Sequence, residues 1–198
     1  MTQKQNLHFI IMIFPYKRSL YISRLSFLLF LIAFIANPLI ALAVTWAETE
    51  PAGDVYKEWW TIGSSTDGAN LIAAVYGGRI YTSANTGTSW TERTPAGSAD
   101  KNWEDVATDA DGSNLMAAIW NGRLYTSANS GTSWTERQPL GDTTNGWTAL
   151  ASDSTGTKLY AAGFSSNIYI SSDSGVNWTS STTTSASWRA IASSTDGT

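Results

Sequence analysis

Three tryptophans, Trp90, Trp134 and Trp178, stand forty-four residues apart, and each closes a turn of nearly the same composition. The segments read Ser83-Ala-Asn-Thr-Gly-Thr-Ser-Trp90, Ser127-Ala-Asn-Ser-Gly-Thr-Ser-Trp134 and Ser171-Ser-Asp-Ser-Gly-Val-Asn-Trp178. A fixed period of this size means one supersecondary unit copied along the chain. Such a unit cannot bury its apolar face alone and must stack on its neighbours.

Aligned on those tryptophans, each unit has four parts. It opens at Trp59, Trp103, Trp147 or Trp188, with an apolar residue three positions on (Ile62, Val106, Leu150, Ile191). A polar turn ending at Gly68, Gly112 or Gly156 follows, and glycine between short apolar runs marks a hairpin because it accepts positive φ. The second part is a six-residue apolar run: 71–76, 115–120 and 159–164. Continuous apolar character suits a strand buried on both faces, and the paired alanines let neighbouring sheets approach closely. The third part is 79–83, 123–127 and 167–171; the closing turn then leads to a fourth extended piece such as 90–93.

Four short strands per repeat, with no helical periodicity after Ala43, predict an all-β chain: a β-propeller of four-stranded antiparallel blades forming an incomplete ring. A parallel β-helix is the alternative, but its coils are shorter and do not need four hairpin turns. Blades are expected at 58–93, 102–137 and 146–181, with the start of another at 187–198. Trp46 precedes Trp59 by thirteen residues, as Trp90 precedes Trp103, so 44–50 reads as an orphan closing strand. Propellers commonly pair such a strand with the last three of the chain, which removes exposed edges. The sequence stops one residue before the next apolar strand, which reads as the front part of a longer propeller. Residues 44–198 alone are therefore expected to aggregate, self-assemble or stay partly unfolded. A concentration-independent monomer with a cooperative melt contradicts that expectation.

Residues 1–43 hold Lys4, Lys17, Arg18 and Arg24 but no acid, then an apolar run from Leu25 and an Ala41-Leu-Ala43 ending. Basic flank, apolar core and small-x-small ending are the parts of a secretory signal peptide cleaved after Ala43, with Met1 or Met12 as the start. A membrane association is expected only if this leader stays uncleaved as an anchor. All sixteen acids but eight of the twelve bases follow Ala43, a formal charge of −8 that argues against nucleic-acid binding. Cysteine is absent, and the single histidine, His8, lies in the leader. No Ser-His-Asp or Cys-His triad, no metal and no cofactor are expected after it.

Ser-x-Asp-x-Gly-x-x-Trp, intact at Ser171, Asp173, Gly175 and Trp178, resembles the Asp-box of bacterial neuraminidase-type repeats. Ser83, Asn85, Gly87 and Trp90 form a second copy, and Ser127, Asn129, Gly131 and Trp134 a third, with asparagine at the aspartate position. The resemblance implies a propeller whose boxes sit between third and fourth strands, away from the ligand face. The residues agree with a structural role: Asp or Asn accepts N–H bonds of its own turn, and the glycine takes the left-handed conformation.

On the opposite face, Tyr76, Trp120 and Phe164 occupy one equivalent position and are candidates to stack on a sugar or anchor a peptide. The competing reading makes them caps of the inter-blade core. Trp60 lacks a counterpart in the other repeats and is a fourth candidate contact. The connections 92–102 and 136–146 carry unlike charges in pairs, read as solvated strand ends. The resemblance leaves three functions open. The first is an exported non-catalytic binding or scaffold module for a protein or carbohydrate ligand on the loop face, the reading preferred here. The second is a glycoside hydrolase of sialidase or xyloglucanase type with its catalytic residues elsewhere. The third is a propeller similar to photosystem II stability factors. Sortilin-like receptors share the propeller but add a cysteine-rich module that is missing from this sequence.

Overall fold

The computed structural model describes Pro51 and residues 56–182 and 184–198; the leader and the strand expected at 44–50 lie outside these. Among the described residues, twelve strands form three four-stranded meanders, the first two joined into one sheet where the second strand of the first pairs with the lead strand of the second. The first blade holds β1 (Trp59–Ser64), β2 (Leu71–Gly78), β3 (Ile80–Ser83) and β4 (Thr91–Arg93). The second holds β5 (Lys101–Thr108), β6 (Leu115–Ile119), β7 (Leu124–Ser127) and β8 (Thr135–Arg137). The third holds β9 (Trp147–Ser152), β10 (Leu159–Gly163), β11 (Ile168–Ser171) and β12 (Thr179–Ser180). All pairings are antiparallel. This is a β-propeller arrangement, and the lead strands β1, β5 and β9 touch one another in turn from blade to blade, which puts them at the axis. No helix among the described residues is long and apolar enough to cross a membrane.

Strand alternation explains the continuous apolar runs. Ile72, Ala74 and Ile80 of the first blade pack with Trp103, Val106, Leu115, Ala117 and Tyr125 of the second. One register on, Met116, Ala118 and Leu124 turn the other way and meet Trp147, Leu150, Leu159, Ala161 and Tyr169 of the third. The middle strand β6 therefore feeds two interfaces, one per face. The alanines at their centres are fully buried, which sets the close blade spacing. Opening tryptophans also reach back across each junction: the indole N–H of Trp103 donates to Gly78 O (3.2 Å), Trp147 to Gly122 O (3.2 Å) and Trp188 to Ser166 O (2.9 Å).

The closing turns hold themselves by side chains, as the sequence predicts. Ser83 Oγ accepts the Gly87 N–H (3.0 Å), and Asn85 Oδ1 accepts the Ser89 N–H (2.9 Å). Ser127 with Asn129 and Ser171 with Asp173 repeat the pattern. The Asn/Asp exchange is compensated two atoms away. Asn85 and Asn129 donate their amides to Ser89 and Ser133 (both 2.8 Å), whereas Asp173 instead accepts from the Asn177 amide (2.7 Å). Gly87, Gly131 and Gly175 are left-handed, and so are the residues before them, Thr86, Ser130 and Ser174. The sequence did not foretell this second left-handed position, since β-branched Thr86 disfavours it.

At the same end, the β1–β2 type turns are strung together across blades. The Thr66 N–H donates to Ala110 O, Ala110 to Ser154 O and Ser154 to Thr195 O, at 2.8–3.1 Å. Residues 187–198 join this string and the Trp188 bond but form no strand. At the other margin, the leading face of the first blade has no sheet against it among the described residues. Trp59 is 40% and Ile62 66% exposed, while their equivalents Trp103 and Val106 are 2% and 6%. Trp90 likewise has no acceptor for its indole N–H among the described residues, although Trp134 and Trp178 donate to Gly131 O and Gly175 O.

Candidate functional site

The face opposite the closing turns is built by the β2–β3 turns and the long connections into each next blade. Arg79 and Arg123 hold those connections in equivalent ways: Arg79 Nε lies 2.6 Å from Asp100, and Arg123 donates to Asp142 O (2.8 Å) and to Gly141 O. Both arginines thus shape the scaffold, and their surface ion pairs contribute little individually.

One row of residues on this face changes in size and charge from blade to blade. In all three blades the lead strand carries a β-bulge directly after its tryptophan. Trp59 pairs with Val75 and Thr61 with Ala74, leaving Trp60 outside the ladder. Glu104 is squeezed out between Trp103 and Asp105 in the same manner, and Thr148 between Trp147 and Ala149. Arg189 follows Trp188 at the fourth such place. Bulges re-aim a side chain and interrupt pairing, and they concentrate at functional margins. The row therefore reads Trp, Glu, Thr, Arg beside a tryptophan that never changes.

The three repeated aromatics gather around this row. Tyr76 stands against Trp60 with ring centroids 5.2 Å apart, and Tyr76 pairs with Asn102, two residues before Glu104. Trp120 lies 6.5 Å from Phe164, whose ring carries the Arg189 guanidinium at 5.6 Å. Trp60 and Phe164 are 57% and 44% exposed, and Tyr76 and Trp120 are half-buried. The four candidate residues named from sequence thus share one face. Glu104 and Arg189 were missed, although aligning the residue that follows each opening tryptophan exposes them.

Burial pushes the Glu104 carboxyl above its usual range, while a hydrogen bond from Trp60 and the Arg189 charge act against that. Its neighbour Asp105 does a different job. Thr61 Oγ1 donates to Asp105 Oδ1 (2.9 Å) and the Leu150 N–H to Oδ2 (2.7 Å), so this side chain ties β1 and β9 to β5. Burial raises its pKa above 3.8, opposed by the Leu150, Thr61 and Val106 bonds. A raised folded-state value means that Asp105 favours the fold most below pH 3.8 and loses that contribution as pH rises through the folded value. Asp105→Asn is expected to lower stability by about 1–3 kcal/mol, because in either orientation its amide N–H₂ faces a main-chain donor, the Leu150 N–H or the Val106 N–H. It is also expected to flatten this part of the pH dependence. Melting curves of wild type and variant across the acid range check both; identical pH slopes would rule out the assigned role.

Asp109 and Asp111 close a hairpin: Asp109 accepts from the Gly112 N–H (2.9 Å) and the Asn114 amide (2.5 Å). Among the described residues, no group of three or more His, Cys, Asp or Glu side chains is placed to hold a metal ion. Clefts of about 340 and 200 Å³ open between successive blades on the closing-turn side, lined by repeat-equivalent residues such as Thr82 with Arg93 and Thr126 with Arg137. They are products of the stacking.

No family model matches this sequence, and no curated protein matches it either. Solved structures do resemble the fold. YCF48 bound to D1 peptide superposes with a TM-score of 0.54 at 15% identity over 64% of this chain and 42% of that one. The GH74 xyloglucanase from Xanthomonas campestris gives 0.53 at 19%, covering 70% and 20%, respectively. Kuenenia stuttgartiensis hydrazine synthase gives 0.56 at 17%, covering 79% and 43%. The chain spans about two fifths of the first and a fifth of the second. At these identities the likeness is one of fold, the β-propeller.

Proposed function

We propose that this chain is an exported, non-catalytic propeller module that binds a ligand on its loop face, and that the ligand is a protein. The observation that carries the reading is the clustering of Trp60, Tyr76, Trp120 and Phe164 around a row of residues that changes in size and charge from blade to blade. Rigid aromatic rings at half-exposed positions supply binding energy at small entropic cost, and they anchor protein interfaces. The structure of YCF48 with a D1 peptide supports a protein ligand for this architecture. A hydrolase reading needs two carboxylates available across a cleft. Among the described residues of this cluster, Asp105 is consumed by Thr61, Val106 and Leu150, which leaves Glu104 without a carboxylate partner.

A peptide array and a glycan array probed with the purified chain test the proposal. Binding to a subset of peptides is expected, with Trp120→Ala weakening it at least tenfold and leaving the thermal melt within a few degrees of wild type. Binding to glycans alone, no binding on either array, or unchanged peptide binding in both Trp120→Ala and Phe164→Ala would overturn it.

A further inference from the structure

The three junctions on the loop face are copies of one another, yet they differ in charge. At each, the repeat matches an aromatic of one blade with the residue that follows the next opening tryptophan: Tyr76 with Glu104, Trp120 with Thr148, Phe164 with Arg189. In the first, Trp60 joins the two, packing on Tyr76 and hydrogen-bonding to Glu104. In the third junction the molecule supplies its own cation, since the Arg189 guanidinium sits over Phe164 at 5.6 Å. In the second, Thr148 is neutral and turned inward, its hydroxyl donating to Trp188 O (2.7 Å). The first junction is the inverse of the third. It has an aromatic pair, Trp60 on Tyr76 at 5.2 Å, and a carboxylate where the third has a guanidinium.

We infer that the first junction receives a lysine or arginine side chain from the bound protein, its stem lying along Trp60 and Tyr76 and its charged head meeting Glu104. The inference rests on the loop-face reading above and names the chemistry of its ligand. A cation over an indole or phenol face gains from the ring quadrupole, and more so when partly desolvated. The hydrocarbon stem of lysine or arginine covers apolar surface while the head stays with its counter-charge. The formal charge of −8 after Ala43 adds long-range attraction for a basic partner.

The test uses the purified full chain and two small probes, N-acetyl-lysine methylamide and N-acetyl-norleucine methylamide, followed by the indole N–H signals in nuclear magnetic resonance. Trp60 is assigned by the signal missing in Trp60→Phe. A saturable shift of that signal with the lysine probe, at least tenfold weaker in Glu104→Gln and absent with norleucine, is the expected result. Glu104→Arg copies the third junction and is expected to abolish the response while the other indole signals keep their positions. Equal responses to both probes, no response to lysine, or an unchanged titration in Glu104→Gln would overturn the site. The peptide array separates this failure from that of the broader reading. Bound peptides without enrichment in lysine or arginine, still lost in Trp120→Ala, sink the cation site and leave loop-face binding standing.

Discussion

Replacing Trp147 with alanine is expected to cost about 3–5 kcal/mol and to unfold the second junction first. Trp147 is 1% exposed and meets Tyr169 edge-on at 5.5 Å. Its indole N–H is spent on Gly122 O of the preceding blade. Truncation therefore leaves a cavity between two sheets and an unpaired carbonyl. Trp60→Ala removes the same atoms from an exposed position and is expected to change stability by less than about 1 kcal/mol. Urea denaturation of both variants decides the matter. Equal losses would mean that the opening tryptophans do not hold the blades together.

The second large effect concerns one glycine position read in two contexts. Gly68 and Gly112 are repeat equivalents with φ of +71° and +79°. Alanine at either is expected to cost about 1–2 kcal/mol for the left-handed backbone alone. Beyond that they part. A methyl group at Gly68 meets nothing within 4 Å, whereas at Gly112 it lands 2.3 Å from Asn70 Cβ. Asn70 is not free to retreat, because its amide donates to Asp111 O at 2.7 Å. Gly112→Ala is accordingly expected to lose roughly a further 1–3 kcal/mol to overpacking. The two variants compared by thermal melting give the difference directly. Matching losses would show that the turns are not stacked across the junction as described.

Much of the fold could be read from spacing. The period fixed the unit, the apolar runs fixed which strands are buried on both faces, and the serine, Asn/Asp and glycine of each closing turn announced its hydrogen bonds. The turn and strand signals are local, and the period emerges from comparing the copies. The bulge after each opening tryptophan was not legible, since an extra residue in a ladder shows only once its partner strand is known. The site suffered from the same gap. Tyr76, Trp120 and Phe164 stood out as repeated rings, and Trp60 as an unmatched one, but Glu104 and Arg189 look like ordinary surface charges until the register sets them on one row. The paired left-handed residues at Thr86, Ser130 and Ser174 escaped for a different reason: threonine and serine give no sign of positive φ, and the constraint comes from the turn around them.

The string of single main-chain bonds linking Thr66, Ala110, Ser154 and Thr195 has a consequence for how the molecule comes apart. Each seam between described blades carries one such bond and each blade packs on its immediate neighbours, so loss of order is expected to pass from one blade to the next. Amide exchange should then be slowest in the middle sheet and quicken toward both flanks, a gradient set by adjacency that would hold even if every sheet were equally strong.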